Sequence, residues 1–153
     1  MSKGAVFGVT NGIITMLAII TGLYVGKVGK MGIIAAILAM IIADPASDAY
    51  SVYVAEKSID NEECKSNAEK IGLLAFASQF ALQILFLLII IFSPNITYAV
   101  TLCYVASFII TSIYSFFFSD FKEYLFNIGA VSGIVLLTYI CEHLVHKKFG
   151  DSV

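Results

Sequence analysis

Met31-Gly-Ile-Ile-Ala-Ala-Ile-Leu-Ala-Met-Ile-Ile-Ala-Asp-Pro-Ala-Ser-Asp-Ala-Tyr-Ser-Val-Tyr-Val-Ala55 reads as a membrane-crossing helix with two acids in its second half. Its first thirteen residues carry no charge, and Ser51-Val-Tyr-Val-Ala55 after the acids is apolar again. The run before Asp44 is too short to cross alone, because a spanning helix needs about 20 mainly apolar residues. Asp44 and Asp48 therefore fall at bilayer depth. An ionised carboxylate there costs roughly 2.5–3.5 kcal/mol on insertion scales. Four positions apart, the two acids share one helix face and repel each other. Such a pair requires compensation by a cation, a proton or a polar partner.

The rest of the chain belongs to the same class. Of its 153 residues, 59% are hydrophobic and 13% charged, where a soluble domain carries about a quarter charged residues. Five segments are long and apolar enough to span: about 4–26, 31–55, 71–92, 96–118 and 124–146. The expected fold is all-α: one integral membrane domain over 1–153, a bundle of five transmembrane helices with the second kinked at Pro45. The N-terminal stretch reads as a first span rather than a cleaved signal, since no small-residue cleavage site precedes a soluble part. Trp is absent, so eight Tyr and twelve Phe are the available interface anchors. No basic tail points to nucleic acid. With the N-terminus inside, Lys3, Lys57, Lys65, Lys70 and Lys122 lie on the inner side and Lys27, Lys30, Lys147 and Lys148 on the outer. That small excess leans towards a cytoplasmic N-terminus, in the plasma membrane of a prokaryote.

Pro45 matters as much as the acids. It has no N–H and clashes with the carbonyl four residues back, at Ile41, which frees that carbonyl and bends the helix. Interrupted helices in transporters use freed carbonyls as cation ligands. Two carboxylates, a Ser47 or Ser51 hydroxyl and a carbonyl form an all-oxygen setting. It suits Mg²⁺, Ca²⁺, Mn²⁺ and, less selectively, Fe²⁺, with the Met40 thioether adding softness. The following polar link, 56–70, reads as a helical extension plus a loop. Its Glu56, Glu62, Glu63 and Glu69 either gather cations at a pore mouth or form a solvated loop of mixed charge.

Gly4, Gly8 and Gly12 recur at four-residue spacing on the first span and form a flat groove for close helix approach. The groove serves either packing within the chain or a homodimer seam. Asn11 beside it bonds a neighbour or lines an ion path. Gln79 and Gln83 on the third span read as bonds between helices. On the fourth, Tyr104, Ser107, Thr111 and Ser115 make a hydroxyl stripe that joins helices or lines a wet path. Ser93-Pro-Asn-Ile-Thr97 is a turn. Glu142, His143 and His146 close the fifth span as a solvated helix end or a weak metal or proton site. Cys64, Cys103 and Cys141 form no Cys-x-x-Cys pair, so neither a zinc knuckle nor a redox motif is expected; Cys103 and Cys141 read as small core residues, and Cys64 as a loop residue open to weak metal contact.

Two segments, about a quarter of the chain, resemble the vacuolar iron transporter family. Phe7-Gly-Val-Thr-Asn-Gly-Ile-Ile-Thr15, with Ala18 and Gly22 beyond, is similar to that family's first-span signature. Ile42-Ala-Asp-Pro-Ala-Ser-Asp-Ala-Tyr-Ser-Val-Tyr-Val-Ala-Glu-Lys-Ser58 is similar to its second. The resemblance implies a five-span dimer that exchanges Fe²⁺ or Mn²⁺ for protons, with Asn11, Met40 and Asp48 in the translocation path. Asn11 stands where the family usually has an acid. Met40 and Asp48 stand where plant members have Glu and Met. The link after the second span is too short for those members' Glu-rich metal-binding insertion.

Three readings compete. In the first, a divalent cation passes between the first two spans, pauses at Asp44 and Asp48, and exchanges against protons as they titrate. The metal is then substrate, and no cofactor is permanently bound; the partners are the bilayer, the cation, protons and a second copy. In the second, Asp-x-x-x-Asp marks an enzyme like the CDP-alcohol phosphotransferases. That chemistry also needs an Asp-Gly-x-x-Ala-Arg half, and the chain has no Arg; it is read as a non-enzyme. In the third, it is a non-transporting structural or accessory subunit whose acids pair with a partner's basic residues. The transporter reading is preferred.

Overall fold

A computed structural model describes residues 3–60 and 62–118, then 125, 128–129, 131–133, 136–137, 139–141, 143–144 and 147; the side chains of 64, 117 and 118 are excepted. The described residues include five helices and no strand: α1 (Lys3–Val25), α2 (Lys30–Met40), α3 (Ala43–Ser58), α4 (Glu62–Phe92) and α5 (Ile96–Phe118). A chain this apolar has little choice. In lipid every backbone N–H and C=O must bond within the segment, and a helix does that locally.

Among the described residues, four stretches are long and apolar enough to cross a membrane: Lys3–Val25, Lys30–Ser58, Lys65–Phe92 and Ile96–Phe116. The second joins α2 and α3. The expected fifth, 124–146, falls largely outside the described residues, as do Glu142 and His146. Among the described residues a buried core that includes Ile13, Met16, Ile37 and Phe86 is apolar, yet many large apolar side chains are also exposed. Leu73, Phe92 and Phe116 are each at least 68% exposed, whereas Gln79, Gln83, Ser107 and Ser115 are fully buried. Large apolar side chains exposed in such number point to a membrane protein.

The chain forms two compact units, 1–12 with 36–85 and 13–35 with 86–153. In the first, α1 lies very close to α4. A Cβ built on Gly4 would collide with the Ile71 carbonyl, and one on Gly8 with Ser78 Oγ and the Ala75 carbonyl. The glycine face thus packs within the chain. Gly72 of α4 likewise lies against Ala49 and Tyr53 of α3. α4 starts nine residues before the expected third span because Glu62-Glu-Cys-Lys-Ser-Asn-Ala-Glu-Lys70 continues the helix, with Glu62 and Glu63 in the first turn favoured by the helix dipole. Only residues 59–61 separate it from α3.

In the second unit, α1 ends in a Schellman motif. Val28 N–H bonds Leu23 O at 2.9 Å and Lys27 N–H bonds Tyr24 O at 3.0 Å. The left-handed position that glycine usually fills is held by Lys27, at φ 58°, although Gly26 is its neighbour. Lys27→Gly should therefore raise stability by about 1 kcal/mol, read as a higher melting temperature in detergent; an unchanged or lower one would refute the strain. Lys30, at the unfavourable N-terminus of α2, reaches instead to the C-terminus of α4. Its Nζ donates to Ile91 O at 2.9 Å and Ser93 O at 2.7 Å, two carbonyls at a helix end that attracts cations. Asn95 caps α5, accepting from Tyr98 N–H at 2.8 Å. Tyr104 Oη meets Thr21 Oγ1 at 2.5 Å, joining α5 to α1.

Candidate functional site

The second apolar stretch is interrupted just before its acids. α2 stops at Met40, Ile41 and Ile42 lie outside helix, and α3 starts at Ala43. Pro45 is the third residue of α3. In a first turn its missing N–H removes a bond that would not have formed within that helix. The first α3 bond runs from Ala46 N–H to Ile42 O at 3.1 Å. The break places Asp44 in the first turn of α3, where the helix dipole favours an anion. It also stands at mid-length: Asp44 is the fifteenth of the 29 residues from Lys30 to Ser58.

Two other helices bring polar side chains to these acids, all within the first unit. Gln79 Nε2 donates to Asp44 Oδ2 at 2.8 Å and to Asp48 Oδ2 at 2.7 Å. Gln83 Nε2 donates to Asp44 Oδ2 at 2.7 Å. Asn11 Nδ2, from α1, donates to Asp48 Oδ2. The close α1–α4 packing at Gly4 and Gly8 makes this possible, since Asn11 adjoins Gly12, whose added Cβ would meet Leu82 and Gln79. Bonds to charged acceptors are worth about 1.5–3 kcal/mol each, so four of them offset much of the cost of burying charge.

The donors are all neutral amides. Among the described residues, the ion pairs are Lys3–Glu56 at 3.8 Å, Lys65–Asp60 at 3.4 Å and Lys65–Glu62 at 3.2 Å; none involves Asp44 or Asp48. Two formal negative charges are thus held by dipoles alone. The same amides are half satisfied. Gln79 Oε1 and Gln83 Oε1 are buried without a hydrogen-bond partner, at about 1–3 kcal/mol for each orphaned group.

Of the residues expected at the site, Asp44, Asp48 and Asn11 come together. Met40 ends α2 before the break and Ser47 is exposed; neither is among the groups that bond the acids. Gln79 and Gln83, read from sequence as joints between helices, belong to the centre. Their signal was present: Gln79 is the fifteenth of 28 residues in Lys65–Phe92, so two i,i+4 polar pairs stand at the middle of two spans.

The acids expected at a pore mouth divide. Glu56 and Glu63 line one cavity of about 410 Å³ with Lys3, Asn67 and Lys70. Glu62 pairs with Lys65, and Glu69 is exposed. No group of three or more His, Cys, Asp or Glu able to hold a metal occurs among the described residues. In the second unit Ser107 Oγ bonds its own helix at Cys103 O, 2.7 Å away. The ring of His143 stacks on Tyr139 with centroids 6.2 Å apart.

These features define a class: the described residues are almost wholly helical, with four stretches long and apolar enough to cross a membrane and an acid–amide centre midway along two of them. No family model matches the chain, and neither curated proteins nor solved structures give a match.

Proposed function

We propose that this chain transports divalent transition-metal cations of the Fe²⁺ and Mn²⁺ kind, with Asp44 and Asp48 as a station on the path. One observation carries the reading: two carboxylates on one helix face share the Gln79 amide as donor, and no described basic side chain pairs with either. A divalent cation matches that formal charge, and so do two protons. Exchange of one for the other moves no net charge through the site, which is the physical basis for proton coupling. The interrupted α2–α3 stretch supports the same reading, because transporters build their ion sites at discontinuous helices near the bilayer midplane. The likeness to the vacuolar iron transporter signatures at Phe7–Thr15 and Ile42–Ser58 adds to it, and with it assembly as a dimer.

The test is uptake of Fe²⁺, Mn²⁺, Zn²⁺, Ca²⁺ and Mg²⁺ into proteoliposomes with and without a proton gradient. Saturable uptake of Mn²⁺ or Fe²⁺ that responds to the gradient is the expected result. Absence of flux for every ion would leave an accessory subunit as the better description. Met40→Leu should leave uptake within about twofold, since substitutions away from specific contacts stay near ±0.5 kcal/mol. A large loss there would put sulfur in the path.

A further inference from the structure

We infer that Gln79 and Gln83 are themselves cation ligands, and that with Asp44 and Asp48 they select a hard, oxygen-preferring divalent cation. The inference rests on the transport reading above and names the chemistry of its site. Both amides belong to fully buried residues. Each turns its N–H end to the acids, at 2.7–2.8 Å, and leaves its carbonyl oxygen buried with no donor. A side chain placed only to brace two carboxylates has no use for a stranded acceptor. A carboxamide presents its two ends on opposite sides of one rotatable bond. With the acids ionised and no cation present, the N–H end faces them. With a cation between the acids, rotation points the carbonyl at the metal and removes a donor that would repel it.

The resulting set is two carboxylates and two amide carbonyls, all oxygen. Asn11, already on Asp48, stands in reach to act the same way. Oxygen-only sites suit Mg²⁺, Ca²⁺ and Mn²⁺, whereas thiolates and thioethers favour softer ions. No sulfur or imidazole is among the groups that bond the acids.

Purified protein in detergent, titrated with Mn²⁺ and followed by electron paramagnetic resonance, tests this. The expected result is saturable loss of the free Mn²⁺ signal, reversed by excess Mg²⁺. Gln79→Leu should weaken binding at least roughly tenfold. Gln79→Glu, which restores an oxygen but no N–H, should bind at least as tightly as the parent, and Mn²⁺ should raise its melting temperature more. Gln83→Leu and Gln83→Glu make the same pair of predictions if either first variant fails to fold. If Glu and Leu variants bind equally poorly, the amides are N–H braces and the inference is wrong. It is also wrong if all four variants bind like the parent while Asp44→Asn does not, and the cation station then survives. A parent that binds no Mn²⁺ overturns both.

Discussion

Asp44→Asn and Asp48→Asn should each lose roughly ten- to hundredfold in divalent-cation uptake, with the folded protein intact. The magnitude follows from removing one charge-assisted interaction of about 1.5–3 kcal/mol, at tenfold per 1.4 kcal/mol. Folding should survive because asparagine keeps a carbonyl oxygen where Asp44 Oδ2 accepts from Gln79 and Gln83, and where Asp48 Oδ2 accepts from Gln79 and Asn11. It also removes the repulsion between the two acids. Melting temperature should therefore hold or rise while flux falls. That opposite movement separates a functional carboxylate from a structural one. Unaltered flux in both variants would rule out the acid pair as a station.

Gly8→Leu should abolish the folded state or nearly so, and Gly8→Ala should cost about 1–3 kcal/mol, the usual range for overpacking. The obstacle is partly backbone. A Cβ at Gly8 meets the Ala75 carbonyl as well as Ser78 Oγ, and a helix carbonyl cannot rotate aside. α1 would have to move off α4, which draws Asn11 away from Asp48. Gly29→Ala is the control. Nothing lies within 4 Å of its Cβ position, so the change should stay near ±0.5 kcal/mol. Melting curves in detergent compare the three; equal values for Gly8→Leu and the parent would contradict the close α1–α4 approach.

Much of the helical plan was legible because its cause is local. Apolar runs of spanning length over Lys3–Val25, Lys30–Ser58 and Ile96–Phe116 are set by composition. The start of α4 lies nine residues before its apolar run begins. Its first residues are charged, and a hydropathy window stops where charge begins, whereas the helix continues as long as its backbone bonds are met and its N-terminus favours Glu62 and Glu63. Local chemistry does not settle the turn after α1 either: glycine is the common left-handed residue, yet Lys27 holds that position beside Gly26. Lys30 counted as a loop charge in sequence, but it caps the C-terminus of α4, a partner 61 residues away.

The sequence by itself determined that two acids stand at the middle of an apolar stretch beside a proline, because hydropathy and proline's missing donor are properties of neighbours along the chain. It also marked Gly4, Gly8 and Gly12 as a close-packing face. Only the tertiary structure decided what that face packs against, and which side chains answer the acids. Asn11, Gln79 and Gln83 are 31 to 39 residues from the carboxylates they bond. Hydrogen bonds across such separations depend on which helices touch and at what register. Backbone contact sets Gly4 and Gly8 against Ile71 and Ala75 of α4, a partner that the glycine spacing does not name.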